Sequence, residues 1–398
     1  MSSGSDSSRS LPPYIFNTDE VDAYNGIVYK DNESILIRPS DDPEVTQIDS
    51  MRVPTPAMNS TSRSSRTRSA RERIRSEFVK RLNDLPGAPV SLINIRDETT
   101  PSLRFTFVNE SVLRKGVERL DSEFVAGCSK CRPDMGQGIG CEYTKICECL
   151  EYADVDVGRL DEAQRKIFDP TGDTSGLPKR FPYASSGHRQ GCLVDFYLDR
   201  RAPIYECNRQ CKCGPKCKNR CVQHGRKVKL EIFKTKDRGW GLRAREALRK
   251  GEFLDTYRGE IITDEEATRR EEEAKTSKES YFYSLDKFAD DDIFANEKPY
   301  VVDGELMGGP TRFINHSCEP NCRQYTVLYN KYDRRVYELA FFAYRDIRPS
   351  EELTFDYLDK EEEDQEAEEL TSTQQSEGGK QQIECKCGAQ KCRKWLWM

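Results

Sequence analysis

The chain has 398 residues, enough for one large domain or two smaller ones. Only 36% of them are hydrophobic, 33% are charged and the net charge is −6. Part of the chain must therefore lie outside any core, a general affinity for nucleic-acid phosphates is disfavoured, and a basic partner is favoured. No apolar run is long enough to span a membrane.

In chain order, residues 1–83 are rich in Ser, Arg, Pro and Asp and read as a disordered or weakly ordered arm. The β-type fragments at 26–29 and 35–37 have too few neighbours to build a core. Arg63, Arg66, Arg68, Arg71, Arg73 and Arg75 form a basic stretch. It reads as a nuclear targeting signal, as a weak nucleic-acid contact, or as a solvated tail leading into a helix. Ile74, Phe78, Val79 and Leu82 recur at helical spacing, which predicts a short amphipathic helix within 70–85.

Next comes a dense cysteine array: Cys128, Cys131, Cys141, Cys147 and Cys149, then Cys207, Cys211, Cys213 and Cys217. A structural zinc takes four ligands. Nine thiolates satisfy three zincs only if three of them each bridge two metals, so the count closes as a trinuclear cluster. Its formal charge of −3 suits the nearby Lys212, Lys216, Lys218 and Arg220. A second array, Cys385, Cys387 and Cys392, is one ligand short, and Cys318 or its rival Cys322 is the candidate fourth. Free buried thiols or disulfides are the alternative. Met1 to Ser10 is polar, with no secretory apolar run, which favours zinc. Cys192, Cys221 and Cys322 are left over and read as free thiols.

From Val228 short apolar runs alternate with Gly, Asp and Pro. Strands are predicted at 230–233, 241–244, 253–257, 300–303, 337–342 and 353–355, and a helix at 264–278 capped by Thr263 or Asp264. Many strands and one helix imply a compact β-rich fold. No Gly-x-Gly-x-x-Gly, Walker loop or Gly-x-Ser-x-Gly is present, which argues against nucleoside triphosphate chemistry and serine hydrolysis. Residues 359–382 are acidic.

Four motifs, Asp237-Arg-Gly-Trp-Gly241, Tyr257-x-Gly-Glu260, Arg312-Phe-Ile-Asn-His-Ser-Cys-x-Pro-Asn321 and Glu352-Leu-Thr-Phe-Asp-Tyr357, stand in that order between the cysteine arrays. Together they resemble the SET domain of protein lysine methyltransferases. With both arrays included, the chain resembles the heterochromatin-forming histone H3 lysine 9 methyltransferases, in particular the short fungal enzymes without a chromodomain. The likeness runs over 85–398 and is weakest across 154–180 and 359–382. One departure is Cys128-x2-Cys131, where relatives often have Cys-x-Cys, which could shift a bridging ligand.

The resemblance implies a mainly β SET fold with short helices, small twisted sheets and a knot-like threading, flanked by a trinuclear zinc pre-SET module and a single-zinc post-SET tail. The expected organisation is an arm over 1–83, an N-terminal segment with the pre-SET cluster over 84–225, the SET domain over 226–358, an acidic linker over 359–382 that could act as a regulatory flap, and the post-SET tail over 383–398. The implied activity is S-adenosylmethionine-dependent methylation of lysine 9 of histone H3 to the di- and trimethyl state, promoting heterochromatin in the nucleus, on the chromosome. The implied cofactors are S-adenosylmethionine and about four zincs; the implied partners are the histone H3 N-terminal tail and heterochromatin-recruitment proteins. The rivals are a SET methyltransferase for another lysine and a catalytically silent zinc scaffold. A silent scaffold would lack Tyr357, or Asn315 and His316, and all three are present.

By the same resemblance Tyr257 and Tyr357 flank the reacting amine, Asn315 and His316 fix the cofactor largely through backbone contacts, and Phe355 sets the number of methyls. Arg238, Gly239, Trp240, Gly241, Tyr281 and Arg312 contribute to the cofactor site, with Trp397 over the adenine. Tyr283 and Asp286 face the peptide, and the run Asp290 to Asp292 suits a basic tail or is a solvated loop.

Overall fold

The computed structural model describes residues 28–30, 33–36, 63–120, 125–135, 141, 147–171, 174–273, 281–289, 297–358 and 383–396. Among them no helix is long and apolar enough to cross a membrane. The chain divides into two compact units, residues 1–84 with 94–106 and residues 85–93 with 107–398.

In the first unit β1 (Val28–Lys30) and β2 (Glu33–Leu36) pair antiparallel. Helix α1 (Arg63–Asn83) has 21 residues. It begins ahead of the expected 70–85, inside the arm read as weakly ordered, and all six arginines of the basic stretch lie on it. Arg, Ala and Glu are good helix formers, and Ile74, Phe78 and Leu82 bury one stripe. Glu77 and Arg81 add an i,i+4 ion pair at 3.0 Å.

The second unit carries β3 (Val90–Ile93), β4 (Val112–Leu113), β5 (Ile204–Tyr205), β6 (Leu230–Lys234), β7 (Trp240–Ala244), β8 (Phe253–Tyr257) and β9 (Glu260–Ile262). After them come β10 (Phe282–Ser284), β11 (Val301–Asp303), β12 (Asn315–His316), β13 (Cys322–Leu328), β14 (Glu338–Ala343) and β15 (Glu352–Phe355). Three small sheets result, in the orders β12-β15-β7-β6-β3, β10-β11-β9-β4 and β5-β13-β14-β8. The helices are short: α2 (Glu162–Thr171), α3 (Asp195–Arg200) and α4 (Asp264–Glu273). Thr263 caps α4, its Oγ1 accepting the Glu266 N–H at 3.3 Å. The further residues expected in that helix, 274–278, lie outside the described ones.

The six predicted strands are present to within a residue or two. Sequence patterning missed β13, the longest of all, because its buried face includes Gln324 and Thr326. Gln324 is half satisfied there: its Oε1 accepts the Tyr283 hydroxyl at 2.7 Å, while its buried Nε2 has no partner among the described residues. The core behind this sheet is Leu193, Tyr197, Leu198, Ile204, Tyr325 and Phe342, all 2% exposed or less. Strand β8, buried along its whole length, thereby gives Tyr257 a rigid base.

Candidate active site and zinc centres

The nine N-terminal cysteines converge on one cluster, with eight of them buried and Cys149 half-buried. Their sulfurs fall into four-membered sets within 4.8 Å: Cys128, Cys131, Cys141 and Cys147; Cys128, Cys149, Cys207 and Cys211; and a third that holds Cys141, Cys207 and Cys213 with Cys128. Cys217 also lies against Cys141, Cys207 and Cys213. Nine ligands then fill twelve positions when Cys128, Cys141 and Cys207 bridge and Cys217 completes the third set. In that arrangement Cys128, which falls in all three sets, would bridge despite its altered spacing to Cys131.

A Zn–S bond of about 2.3 Å in a tetrahedron implies sulfur–sulfur edges of about 3.8 Å. The separations are 3.5 Å for Cys128–Cys141, 3.5 Å for Cys141–Cys207, 3.7 Å for Cys149–Cys211 and 3.9 Å for Cys207–Cys217. The donors fit zinc. Arg220 reaches the cluster through Nη2, 3.8 Å from Cys213 Sγ.

The fourth set is Cys318, Cys385, Cys387 and Cys392, with Cys318 and Cys385 sulfurs 3.8 Å apart. Cys322 is instead fully buried and turned towards Asn321 Oδ1. The C-terminal segment 383–396 is thus pinned beside His316. Its Arg393 N–H points at Cys318 Sγ, and its guanidinium grips Asp356 at 2.5 and 2.7 Å.

Strand β12 runs parallel to β15, with Asn315 opposite Thr354 and His316 opposite Phe355. This register stacks the Asn-His and Phe-Asp-Tyr segments side by side. His316 Nδ1 accepts the Tyr357 N–H at 3.1 Å, so Nε2 carries the proton and faces Cys318 Sγ at 3.3 Å. Burial pushes the imidazole down to about 4, partly opposed by Asp356. It is neutral at physiological pH, as that accepting role requires.

Asn315 Nδ2 donates to the Trp240 carbonyl at 3.2 Å and to Glu352 Oε1 at 2.8 Å. Glu352 Oε2 holds Arg238 Nη2 at 2.6 Å, and Arg238 Nη1 donates to the His316 carbonyl at 3.2 Å. A Cβ on Gly241 would come within 2.8 Å of Glu352 Oε1, whereas Gly239 turns at φ 69° beside open space. Arg312 lies 4.4 Å over the Tyr281 ring and donates from Nε to the Gly304 carbonyl. The Tyr281 carbonyl in turn accepts the Tyr257 hydroxyl at 2.8 Å.

The aromatic side chains make a second cluster. Phe355 packs 4.8 Å from both Phe341 and Tyr357, and Tyr257 is 6.2 Å from Tyr283. Tyr357 donates its hydroxyl to the Ile314 carbonyl at 2.9 Å. Burial pushes the Tyr257 phenol well up, against the pull of Arg312, so it stays neutral.

Comparison with known proteins decides what these features belong to. The SET domain family matches residues 239–358 and the Pre-SET motif matches residues 83–220. The chain is 41% identical over 322 residues to the H3 lysine-9 specific histone-lysine N-methyltransferase KMT1 of Fusarium mangiferae, covering 78% of this chain and 88% of that protein. The chain belongs to the SET-domain histone-lysine methyltransferases. Among solved structures, that of the Neurospora SET domain protein DIM-5, a histone lysine methyltransferase, is 39% identical with a TM-score of 0.57, over 69% of this chain and 96% of that one. Arabidopsis thaliana SUVH6 in complex with SAM is 28% identical with a TM-score of 0.54, over 79% of this chain and 55% of that one.

In this SET methyltransferase the expected cofactor is S-adenosylmethionine, and its fit rests on the open backbone turn at Gly239 beside the Arg238–Glu352–Asn315 network. Arg238, Gly239, Trp240, Gly241, Asn315 and His316 come together around Glu352, while Tyr281, Arg312, Tyr257 and Tyr283 form an adjoining group. Asp286 is exposed just beyond β10. Trp397, the acidic run 290–292 and the linker 359–382 lie outside the described residues. Sequence reasoning gave no role to Glu352, Asp356 or Arg393. The signal was available in part: Glu352 and Asp356 are charged residues inside a motif whose neighbours are apolar, so each needs a cation from elsewhere in the chain.

Proposed function

We propose that this SET methyltransferase transfers methyl groups from S-adenosylmethionine to lysine 9 of histone H3, to the di- and trimethyl state. The observation that carries the reading is the pairing of Tyr257 with Tyr283 and of Phe355 with Tyr357, the latter joined through His316 to the Arg238–Glu352–Asn315 network, which we read as the walls of an aromatic channel. The similarity to H3 lysine-9 specific relatives supports the target. By the same relationship the protein acts on chromatin in the nucleus, on heterochromatin, with recruiting proteins as partners.

When bound, S-adenosylmethionine supplies an electrophilic methyl group on a sulfonium. Tyr257 and Tyr357 have their hydroxyl protons committed to the Tyr281 and Ile314 carbonyls. Each phenol oxygen therefore turns lone pairs towards the channel, where they align the lysine amine and the methyl. Arg238, Glu352 and Asn315 hold the backbone of 238–241 against that of 315–316, the surface on which the cofactor rests.

The target lysine must first lose a proton. Lowering its pKa from ~10.4 to ~7 requires about 4–5 kcal/mol, which desolvation in the aromatic channel and the sulfonium charge help to supply. Tyr257, held neutral by burial, is not the base. The proton therefore goes to water, and kcat is expected to rise about tenfold per pH unit up to the pKa of the bound lysine, ~7, and to level off above it. A kcat that keeps rising tenfold per unit between about pH 7 and 9 would show that the site does not lower that pKa.

Phe355 sets the product. Its ring fills the gap between Phe341 and Tyr357 and carries no hydroxyl. Phe355→Tyr is expected to shift product towards mono- and dimethyl lysine, because the new hydroxyl holds a water that obstructs rotation of the methylated amine. Trimethylation at the wild-type rate by this variant would refute the channel assignment. The peptide runs along β10, an edge strand among the described residues, by strand addition, with Asp286 meeting a basic neighbour of the target lysine.

The deciding experiment is mass spectrometry of a histone H3 tail peptide incubated with the protein and S-adenosylmethionine, beside a peptide with arginine at position 9. Up to three methyls on the first and none on the second is the expected result. Methylation of both would remove the target, and methylation of neither the activity.

A further inference from the structure

A cavity of about 390 Å³ opens beside the pre-SET thiolates Cys128 and Cys149 and shares no residue with the aromatic channel. Its walls include Tyr152, Tyr205 and Tyr329, with Glu148, Glu151 and Lys331 around them. The Tyr152 and Tyr205 rings are 5.6 Å apart and inclined at 48°, so they form two walls of a corner rather than a stack. Lys331 reaches the Tyr152 side of this corner: its ammonium hydrogen-bonds the Tyr152 hydroxyl and lies 4.2 Å from that ring's centre and 5.0 Å from that of Tyr332. The chain's own lysine thus places a cation at one edge of the site.

The surrounding charge favours a cation. A cluster of three zincs and nine thiolates carries a formal −3, and Glu148 and Glu151 add to it. Glu206, also in the lining, is buried and engaged by the Tyr183 hydroxyl and the Cys221 and Val222 N–H groups, so it contributes charge while its oxygens are already bonded. Aromatic faces set in a negative field are the chemistry that recognises alkylated ammonium groups.

We propose that this pocket binds a methylated lysine side chain of a basic peptide, displacing Lys331. An unmethylated lysine gains little over Lys331, which already has the seat without any loss of translational freedom. A methylated ammonium is weakly hydrated, so it is cheaper to desolvate and keeps the full attraction of the rings. The pocket would thus hold the enzyme on tails that already carry its product. This identity of the peptide rests on the proposed function, whereas the ammonium chemistry rests on the pocket alone.

The test is fluorescence anisotropy of the full chain with a labelled histone H3 tail peptide trimethylated at lysine 9 and with its unmethylated twin, in wild type, Tyr152→Ala and Lys331→Ala. Wild type is expected to prefer the trimethylated peptide by about tenfold or more, and Tyr152→Ala to lose that preference. Lys331→Ala, freed of the internal competitor, should bind the trimethylated peptide at least about threefold tighter and methylate the unmethylated one at the wild-type rate. Wild-type preference in Tyr152→Ala, or looser binding in Lys331→Ala, would overturn the proposal. Because Tyr152 adjoins Cys149, its variant is checked for zinc, and the exposed-loop variant Lys331→Ala decides if zinc is lost. A wild type that binds as expected but methylates nothing would leave the pocket standing and remove the proposed function; normal methylation without methyl-dependent binding would do the reverse.

Discussion

Cys392→Ser is expected to lower kcat/KM for methyl transfer by roughly 10²-fold or more while the chain keeps about three of its four zincs. The site that loses its metal is assembled from two distant segments, Cys318 at the end of the Asn-His strand and Cys385, Cys387 and Cys392 in the tail. Three thiolates hold zinc poorly, and the tail then loses the link that keeps Arg393 on Asp356 and the Arg393 N–H on Cys318. His316 feels this directly, because its Nε2–H faces the Cys318 sulfur while its Nδ1 receives the Tyr357 N–H. A shift of about 1 Å in Tyr357 is enough for a loss of that size. The pre-SET cluster shares no ligand with this site, so thermal stability should change little. Elemental analysis beside initial-rate kinetics checks both halves. Loss of one zinc with unchanged kcat/KM would mean that the C-terminal centre does not position Tyr357.

The largest effect on stability is expected from Asp255→Ala, at about 3–5 kcal/mol. Asp255 is fully buried on β8, receives Arg226 Nη1 at 2.5 Å, and is paired with Arg258 at 2.9 Å. Arg226 is itself only 3% exposed and uses its other nitrogens on the Pro86 and Ala88 carbonyls. One guanidinium thus fastens the segment ahead of β3 to β8, the strand that carries Tyr257. Removing the carboxylate leaves a buried cation uncompensated, which costs more than the pair itself contributes. The urea midpoint should fall sharply, with the slope of the transition unchanged. Asp255→Asn, which keeps an acceptor oxygen, should lose less. A midpoint unmoved in Asp255→Ala would show that water reaches Arg226.

Some features were legible along the chain because they repeat or sit close together. Cysteine spacing gave the zinc arithmetic, since a metal needs a fixed number of soft ligands whatever the fold. The strands at 230–233 and 253–257 were readable because hydrophobic alternation is a local property. The Thr263 cap was readable because it acts on the next turn. Helix α1 was foreseen from four apolar residues, Ile74, Phe78, Val79 and Leu82, but its start was not, since its first turns consist mostly of arginines and serines that carry no pattern.

The sequence by itself therefore determined the family motifs, the β-rich character of the body and the number of zincs that nine and four thiolates can satisfy. The tertiary structure decided which sulfurs lie together in sets of four, that Cys318 and not Cys322 joins the tail cysteines, and that Glu352, Asp356 and Arg393 tie the surrounding segments together. It also decided that β13 is a strand, through the partner it gives Gln324. The physical reason is the same in each case: a ligand edge of about 3.8 Å or a hydrogen bond of about 3 Å depends on distances between segments far apart in sequence. Those distances exist only once the sheets have packed.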